Sequence, residues 1–313
     1  MSYFLNLRQH VNGGEPVANV DSIQVLRFEG AVPPSDKSEP VKVCTLASLQ
    51  KDLRGKDLLL VAHGFNWSWE FGLERLSEWE GWMRLPSSAL PLFVLWPGDS
   101  SWLHGLDYPA EDSVASQCGK LLADFVSANL TMAASLSFAS HSLGARVVLE
   151  ALRNLPSNAA VRHLILMAAA IDDNSLATDY AGAMQQVGRV TNVRSEKDMV
   201  LAAVFPLGNP IAGVFDHTHP YFKGALGCYG PSGFGADEPW PANLDPSPDM
   251  PSYWNYGHHS YMKADWPGAD PDPILLSPPL SNGKLPPTGP TANLHNWQQA
   301  WAASFTSLCF QSR

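Results

Sequence analysis

The chain has 313 residues, of which 45% are apolar and 16% charged, and its formal net charge is −10. That length fills one large α/β core or two small domains. The acidic balance argues against nucleic acid as a partner, because phosphate binding needs clustered Lys and Arg, and no apolar run reaches the ~18 residues that span a bilayer.

The predicted elements begin with two alternating runs, Tyr3 to Arg8 and Ser22 to Phe28, separated by the turn Asn12-Gly13-Gly14. The opening MSYFLNLRQH has no basic leader followed by an apolar core, so no signal peptide is expected and the reading is cytoplasmic. Pro33, Pro34 and Pro40 mark a loop. Leu58 to Ala62 and Pro91 to Trp96 are short continuous apolar runs, the pattern of strands buried on both faces. Between them, Glu70 to Met83 has helical spacing. Ala110 to Leu130 reads as a long helix, Ser135 to Ser140 as a strand, and Gly144 to Leu155 as a helix stopped by Pro156. Val161 to Ala168 and Val187 to Val193 are further strands. Strand and helix alternate, which implies a mostly parallel sheet with helices on both faces. One domain over 1–313 is expected. Residues 205–290 are rich in Pro, Gly, Asp and Trp and read as loops that form a cap or lid. Thr291 to Phe310 reads as a final amphipathic helix.

Cys44, Cys118, Cys228 and Cys309 are scattered and form no CxxC pair, so neither a zinc site nor a disulfide scaffold is expected. Asp216-His217-Thr218-His219 resembles half a metal site, but no third or fourth ligand is evident, and the expectation is no metal.

The chemistry-bearing run is Leu136-Ser137-Phe138-Ala139-Ser140-His141-Ser142-Leu143-Gly144-Ala145-Arg146. An apolar strand passes directly into a helix with a Ser at the junction. Small residues stand two before it (Ser140) and two after it (Gly144). That is the steric requirement of a nucleophile elbow, here with Ser140 in place of the usual first Gly. The serine then sits at a helix N-terminus, where backbone N–H groups face developing negative charge. Upstream, the strand Leu58 to Ala62 ends in His63-Gly64-Phe65-Asn66. Gly64 permits a sharp turn that aims amides into a cavity. The Phe65 and Leu143 N–H groups are the candidate oxyanion donors, and His63 is expected to brace the loop. Trp67, with Asn66 and His141 beside it, is the expected wall of a substrate pocket, whereas Trp79 and Trp82 are expected to pack a helix on the sheet.

These runs together, VAHGFN, VLWPGDS, SFASHSLGARVV, LILMAAAIDD, VRSEKDMVL and GHHSYM, resemble the α/β-hydrolases long filed as a domain of unknown function and related to esterases and lipases. The resemblance covers roughly Leu58 to Met262. It implies the α/β-hydrolase fold, a Ser-His-Asp hydrolase of small-molecule esters, and no cofactor. In that fold the chain order is Ser, acid, His. After Ser142 the acid is expected at Asp198, where the motif matches, with Asp172 and Asp173 as rivals. The base is expected at His259, because the family pattern is His followed by Ser and an aromatic. His258 is the near alternative, since adjacent side chains diverge and one of them faces Ser142. An amidase or peptidase with the same triad, and a binding protein on a catalytically dead hydrolase fold, are the competing readings. Nothing in the sequence sets an oligomeric state.

Overall fold

Leu58 to Ala62 is apolar at every position because both faces of its strand are covered. It belongs to β6 (Asp57–Ala62), which lies inside the sheet and is buried along nearly its whole length. The protein is described by a computed structural model over residues 2–9, 17–18, 23–28, 41–65, 67–82, 85–98, 108–159, 161–205, 224–234, 241–245, 257–258 and 261. The expected strands appear as β1 (Ser2–Asn6), β4 (Gln24–Phe28), β6, β7 (Ala89–Leu95), β8 (Ser135–His141), β9 (Val161–Met167) and β10 (Val187–Val193). Two-residue strands β2 (Arg8–Gln9) and β3 (Val17–Ala18) pair separately, and β5 (Lys42–Val43) closes one edge of the main sheet. Tyr3 to Arg8 is therefore not one strand: the run breaks after Asn6.

The eight strands of the main sheet stand in the order β10-β9-β8-β6-β7-β1-β4-β5. From β10 to β1 every neighbouring pair is parallel, and β4 is antiparallel to both β1 and β5. The chain leaves β6 for β7 on one side, then returns to place β8 on the other. β6 and β8 thus flank the point where the winding reverses, and the crevice beyond their C-terminal ends is where such sheets carry ligands. The register pairs Ala62 with Ser140, so His63-Gly64 and His141-Ser142 emerge side by side.

Alternation along the strands sorts the core into two layers. Leu58, Leu60 and Ala62 face a layer with α1 (Leu46–Leu53), α3 (Tyr108–Asn129) and α4 (Gly144–Asn154), whereas Leu59 and Val61 face one that includes Leu76 and Trp79 of α2 (Trp69–Trp82). Helices therefore cover both faces, as the strand–helix alternation required. Trp79 is core, as expected, while the Trp82 side chain lies outside the described residues. α4 ends at Leu155, whose extended backbone is what the following Pro156 demands. α1 has no counterpart among the predicted elements. Its signal was present: Thr45 Oγ1 accepts the Ser48 N–H at 3.2 Å as an N-cap, and Leu46, Leu49 and Leu53 recur at helical spacing.

Most of 205–290 lies outside the described residues, as does the expected helix over 291–310. One described piece, 224–234, is tied to the sheet. Leu226 N–H and Gly227 N–H donate to the carbonyls of Ile171 and Ala169, and Ser195 N–H donates to the Gly227 carbonyl. This segment braces the loops that leave β9 and β10. A second piece, 241–245, runs along the free edge of β10, where Asp245 accepts from Arg189 and Thr191. No described helix is long and apolar enough to cross a membrane. Cys44, Cys118 and Cys228 are free thiols, and Cys309 lies outside the described residues.

Candidate active site

Ser142 follows β8 and precedes α4 with no intervening linker, so the chain must reverse within one residue. It does so by adopting φ 53°, a left-handed conformation that costs a non-glycine residue energy. Neighbouring bonds hold it there: the Ser142 N–H donates to the Met167 carbonyl at 3.0 Å, and its own carbonyl accepts from Ala170 N–H. Two close backbone approaches explain the glycines. A Cβ on Gly144 would strike the carbonyls of Ala62 and His63, and one on Gly64 would lie 2.9 Å from Ser142 Cβ.

The structure brings three side chains into line. Ser142 Oγ is 2.7 Å from His258 Nε2, and His258 Nδ1 is 2.9 Å from Asp198 Oδ2. A carboxylate accepts, so Nδ1 carries the ring hydrogen and Nε2 is left to accept from the serine hydroxyl. Asp198 is fully buried, Ser142 is 4% exposed and His258 7%, so all three sit in a medium that strengthens charge interactions. The other Asp198 oxygen accepts the Leu201 N–H at 2.9 Å, at the start of a short π-helical turn, Val200–Val204. Both carboxylate oxygens are thereby engaged.

The histidine departs from the sequence expectation. His258, not His259, lies between Ser142 and Asp198, and His259 falls outside the described residues. A contact remote in sequence accompanies it: His141 Nε2 donates to the His258 carbonyl at 2.6 Å. The backbones of the rival residues are engaged elsewhere. Asp172 pairs with Ala225, and the backbone of Asp173 bonds Gly224 and Ser232, so both hold the 224–234 segment. Glu196 is exposed, as a solvated loop residue should be.

The loop after β6 lies against this line of groups. Phe65 is half-buried and Leu143 fully buried. Among the described residues, neither amide N–H donates to a protein acceptor. Trp67 is buried, stacked on His63 with ring centroids 5.4 Å apart and set edge-on to Phe71. Asn66 lies outside the described residues. His141 is 1% exposed and packs between Trp67, His258 and Tyr261.

His63 is a brace. Its Nδ1–H donates to the Gly64 carbonyl at 2.7 Å, its Nε2 accepts the Trp96 N–H, and the Trp96 indole N–H donates to the His63 carbonyl at 2.8 Å. Burial, and secondarily the charge of Arg8, push its pKa down to about 3. Arg8 itself, a residue to which the sequence attached no role, is buried and donates from Nη2 to the Trp67 carbonyl at 3.0 Å. β2 thus reaches across to hold the loop after β6. Only a contact between residues far apart in the chain reveals this, since nothing in the run Leu7-Arg8-Gln9 marks it.

Because His63 is held neutral, the unfolded chain takes up its proton first as pH falls. Stability is then lost progressively between the unfolded value near 6.5 and the folded value near 3. From pH 7 to pH 4.5 the wild type is expected to lose roughly 3 kcal/mol more unfolding free energy than His63→Asn, whose amide can still reach the Gly64 carbonyl. Urea titrations of both proteins at the two pH values measure this, and parallel losses would refute it.

Among the described residues no cluster of three or more His, Cys, Asp or Glu is placed to hold a metal, and Asp216, His217 and His219 lie outside them.

In comparison with solved structures, the chain is similar to the thermophilic, thermostable carboxylesterase EstE1 cloned from a metagenomic library. That likeness is at 13% identity, over 52% of this chain and 68% of that one, with a TM-score of 0.31. The propionate-bound thermophilic esterase Est2 of the Planctomycetes species Thermogutta terrifontis is 11% identical over 62% and 76%, TM-score 0.31. Phospholipase PlaB from Legionella pneumophila, in complex with thio-NAD, is 12% identical over 44% and 38%, TM-score 0.27. No curated protein matches the chain. Residues 42–212, which carry β6, the elbow and Asp198, match a family of α/β hydrolases of unknown function, DUF900, and the chain belongs to that family.

Proposed function

We propose that this chain is a serine hydrolase that cleaves carboxylic esters of small molecules, with Ser142 as nucleophile, His258 as base and Asp198 as its orienting acid. The observation that carries the reading is the unbroken line Ser142 Oγ, His258 Nε2, His258 Nδ1, Asp198 Oδ2 with separations of 2.7 and 2.9 Å, on a serine held at positive φ. Membership of an α/β-hydrolase family supports it.

The reaction follows from what each group can do. His258 Nε2 takes the hydroxyl proton while Ser142 Oγ attacks the ester carbonyl carbon. Negative charge gathers on the carbonyl oxygen. The Leu143 N–H, at the N-terminus of α4, and the Phe65 N–H are the donors proposed to receive it. The tetrahedral species collapses as His258 returns the proton to the leaving alkoxide. Water, deprotonated by the same Nε2, then frees the acid and regenerates Ser142. Asp198 stabilises the imidazolium at each stage without itself taking the proton. The scheme uses no cofactor. Trp67 is proposed to line the acyl side of the pocket.

Hydrolysis of short to medium p-nitrophenyl esters is expected without added metal, together with labelling of Ser142 by a fluorophosphonate probe. A matched ester and anilide pair separates esterase from amidase, because a leaving amine must be protonated by His258. Wild-type protein that neither labels nor hydrolyses would sink the reading in favour of a binding protein. Activity abolished by EDTA and restored by zinc would contradict it as well.

A further inference from the structure

We infer that His141, the residue immediately before the nucleophile, is a positioning residue that sets the height of the His258 imidazole over Ser142. The inference rests on the serine-hydrolase reading and assigns no bond-making step to His141.

The geometry that carries it is a bond between side chain and main chain. His141 Nε2 lies 2.6 Å from the His258 backbone oxygen. A carbonyl only accepts, so Nε2 carries a hydrogen and donates. The two ring centroids are 5.1 Å apart, and the His141 ring also packs against Tyr261, three residues further along the chain, at 6.2 Å. It is held on its other flank by Gly64: a Cβ there would sit 2.7 Å from His141 Nδ1. His141 is therefore wedged between the loop after β6 and the segment that brings in His258.

The consequence concerns how accurately the base is placed. Asp198 bonds one ring nitrogen of His258 and so fixes the rotation of the imidazole and its tautomer. Rotation does not fix where the ring's own backbone stands. His258 follows β10, the last described strand of the sheet, by more than 60 residues, and its distance from Ser142 cannot be set by chain connectivity. His141 removes that freedom. It ends β8, the strand that presents Ser142, so the nucleophile and the anchor of the base share one rigid support. The His141 side chain also explains why His258, rather than its neighbour, occupies the site.

The test compares His141→Leu, which fills the space and cannot donate, with His141→Gln, whose amide reaches the same acceptor. A misplaced reacting group of about 1 Å costs roughly 10²-fold, so His141→Leu should lose about that factor in kcat on p-nitrophenyl esters. Its KM should stay within about twofold, and His141→Gln should keep kcat within about tenfold of wild type. Fluorophosphonate labelling rates should follow kcat in the same order. A merely structural role would lower the melting temperature of both variants and scale the active fraction, without splitting kcat from KM or restoring activity in the Gln protein. Wild-type kcat in folded His141→Leu overturns the inference and leaves the hydrolase reading intact. If the Leu protein does not fold, His141→Gln and the shorter His141→Asn decide it: equal kcat in those two folded proteins overturns it. A wild type that neither labels nor hydrolyses overturns the hydrolase reading, and this inference with it.

Discussion

Replacing Ser142 or His258 by Ala is expected to lower kcat by roughly 10⁴-fold or more in each case, and the double replacement to lose little beyond that. Non-additivity is the diagnostic part. Serine oxygen is a poor nucleophile until its proton has somewhere to go, and in the proposed mechanism His258 Nε2, 2.7 Å away, is that acceptor. Remove either and the other has no task left. The residual rate in each variant should come from binding and from whatever donors face the carbonyl oxygen. His259→Ala is the internal control. It changes the next residue in sequence and should leave kcat within about tenfold of wild type. A dead His259→Ala beside an active His258→Ala would make His259 the base and overturn the assignment. Steady-state kinetics on one p-nitrophenyl ester, with circular dichroism to show that each variant folds, decides the matter.

Much of the architecture could be read from the residues, because buried parallel strands announce themselves. β6 and β7 are apolar nearly throughout and β9 is mostly so, and each predicted segment, β8 included, lies within a residue or two of the observed strand. The turn at Ser142 was legible for a steric reason. A strand meeting a helix without a linker leaves room only for small neighbours, and Gly144 is pressed onto the His63 and Ala62 carbonyls. Less legible were features set by contacts remote in sequence. The edge strand β5 is two residues long and exposed, so it has no apolar pattern to find. Arg8 looks like an ordinary strand-end cation until its bond to the Trp67 carbonyl places it under the loop after β6. Between His258 and His259 the family pattern favours the second, and the stretch has no periodicity to correct it. The choice is made by the His141 bond to one backbone oxygen, and no local pattern encodes it.

Asp198→Asn is expected to keep the shape of the site and yet cost about 10⁴-fold in kcat. The buried carboxylate accepts from His258 Nδ1 at 2.9 Å through one oxygen and from Leu201 N–H at 2.9 Å through the other. An amide has one acceptor and one donor. The Leu201 N–H can only donate, so it claims the amide oxygen, and the amide nitrogen is left facing His258. That nitrogen donates, and Nδ1 must then accept. The ring hydrogen is driven to Nε2, where it points at Ser142 and blocks the proton transfer that the serine needs. Volume and packing barely change, so the melting temperature should move far less than the rate does. A further loss adds to the wrong tautomer: the imidazolium formed during attack no longer has a negative partner, in a buried site where that partner counts most. Raising pH should not restore the rate, because deprotonating a neutral imidazole lies beyond reach. By contrast, Asp172→Asn and Asp173→Asn keep the backbone bonds that hold the 224–234 segment and should leave kcat nearly unchanged. A pH–rate profile on the three Asn variants reads all of this at once. Near-normal kcat in Asp198→Asn beside a dead Asp172→Asn would move the acid to the loop after β9.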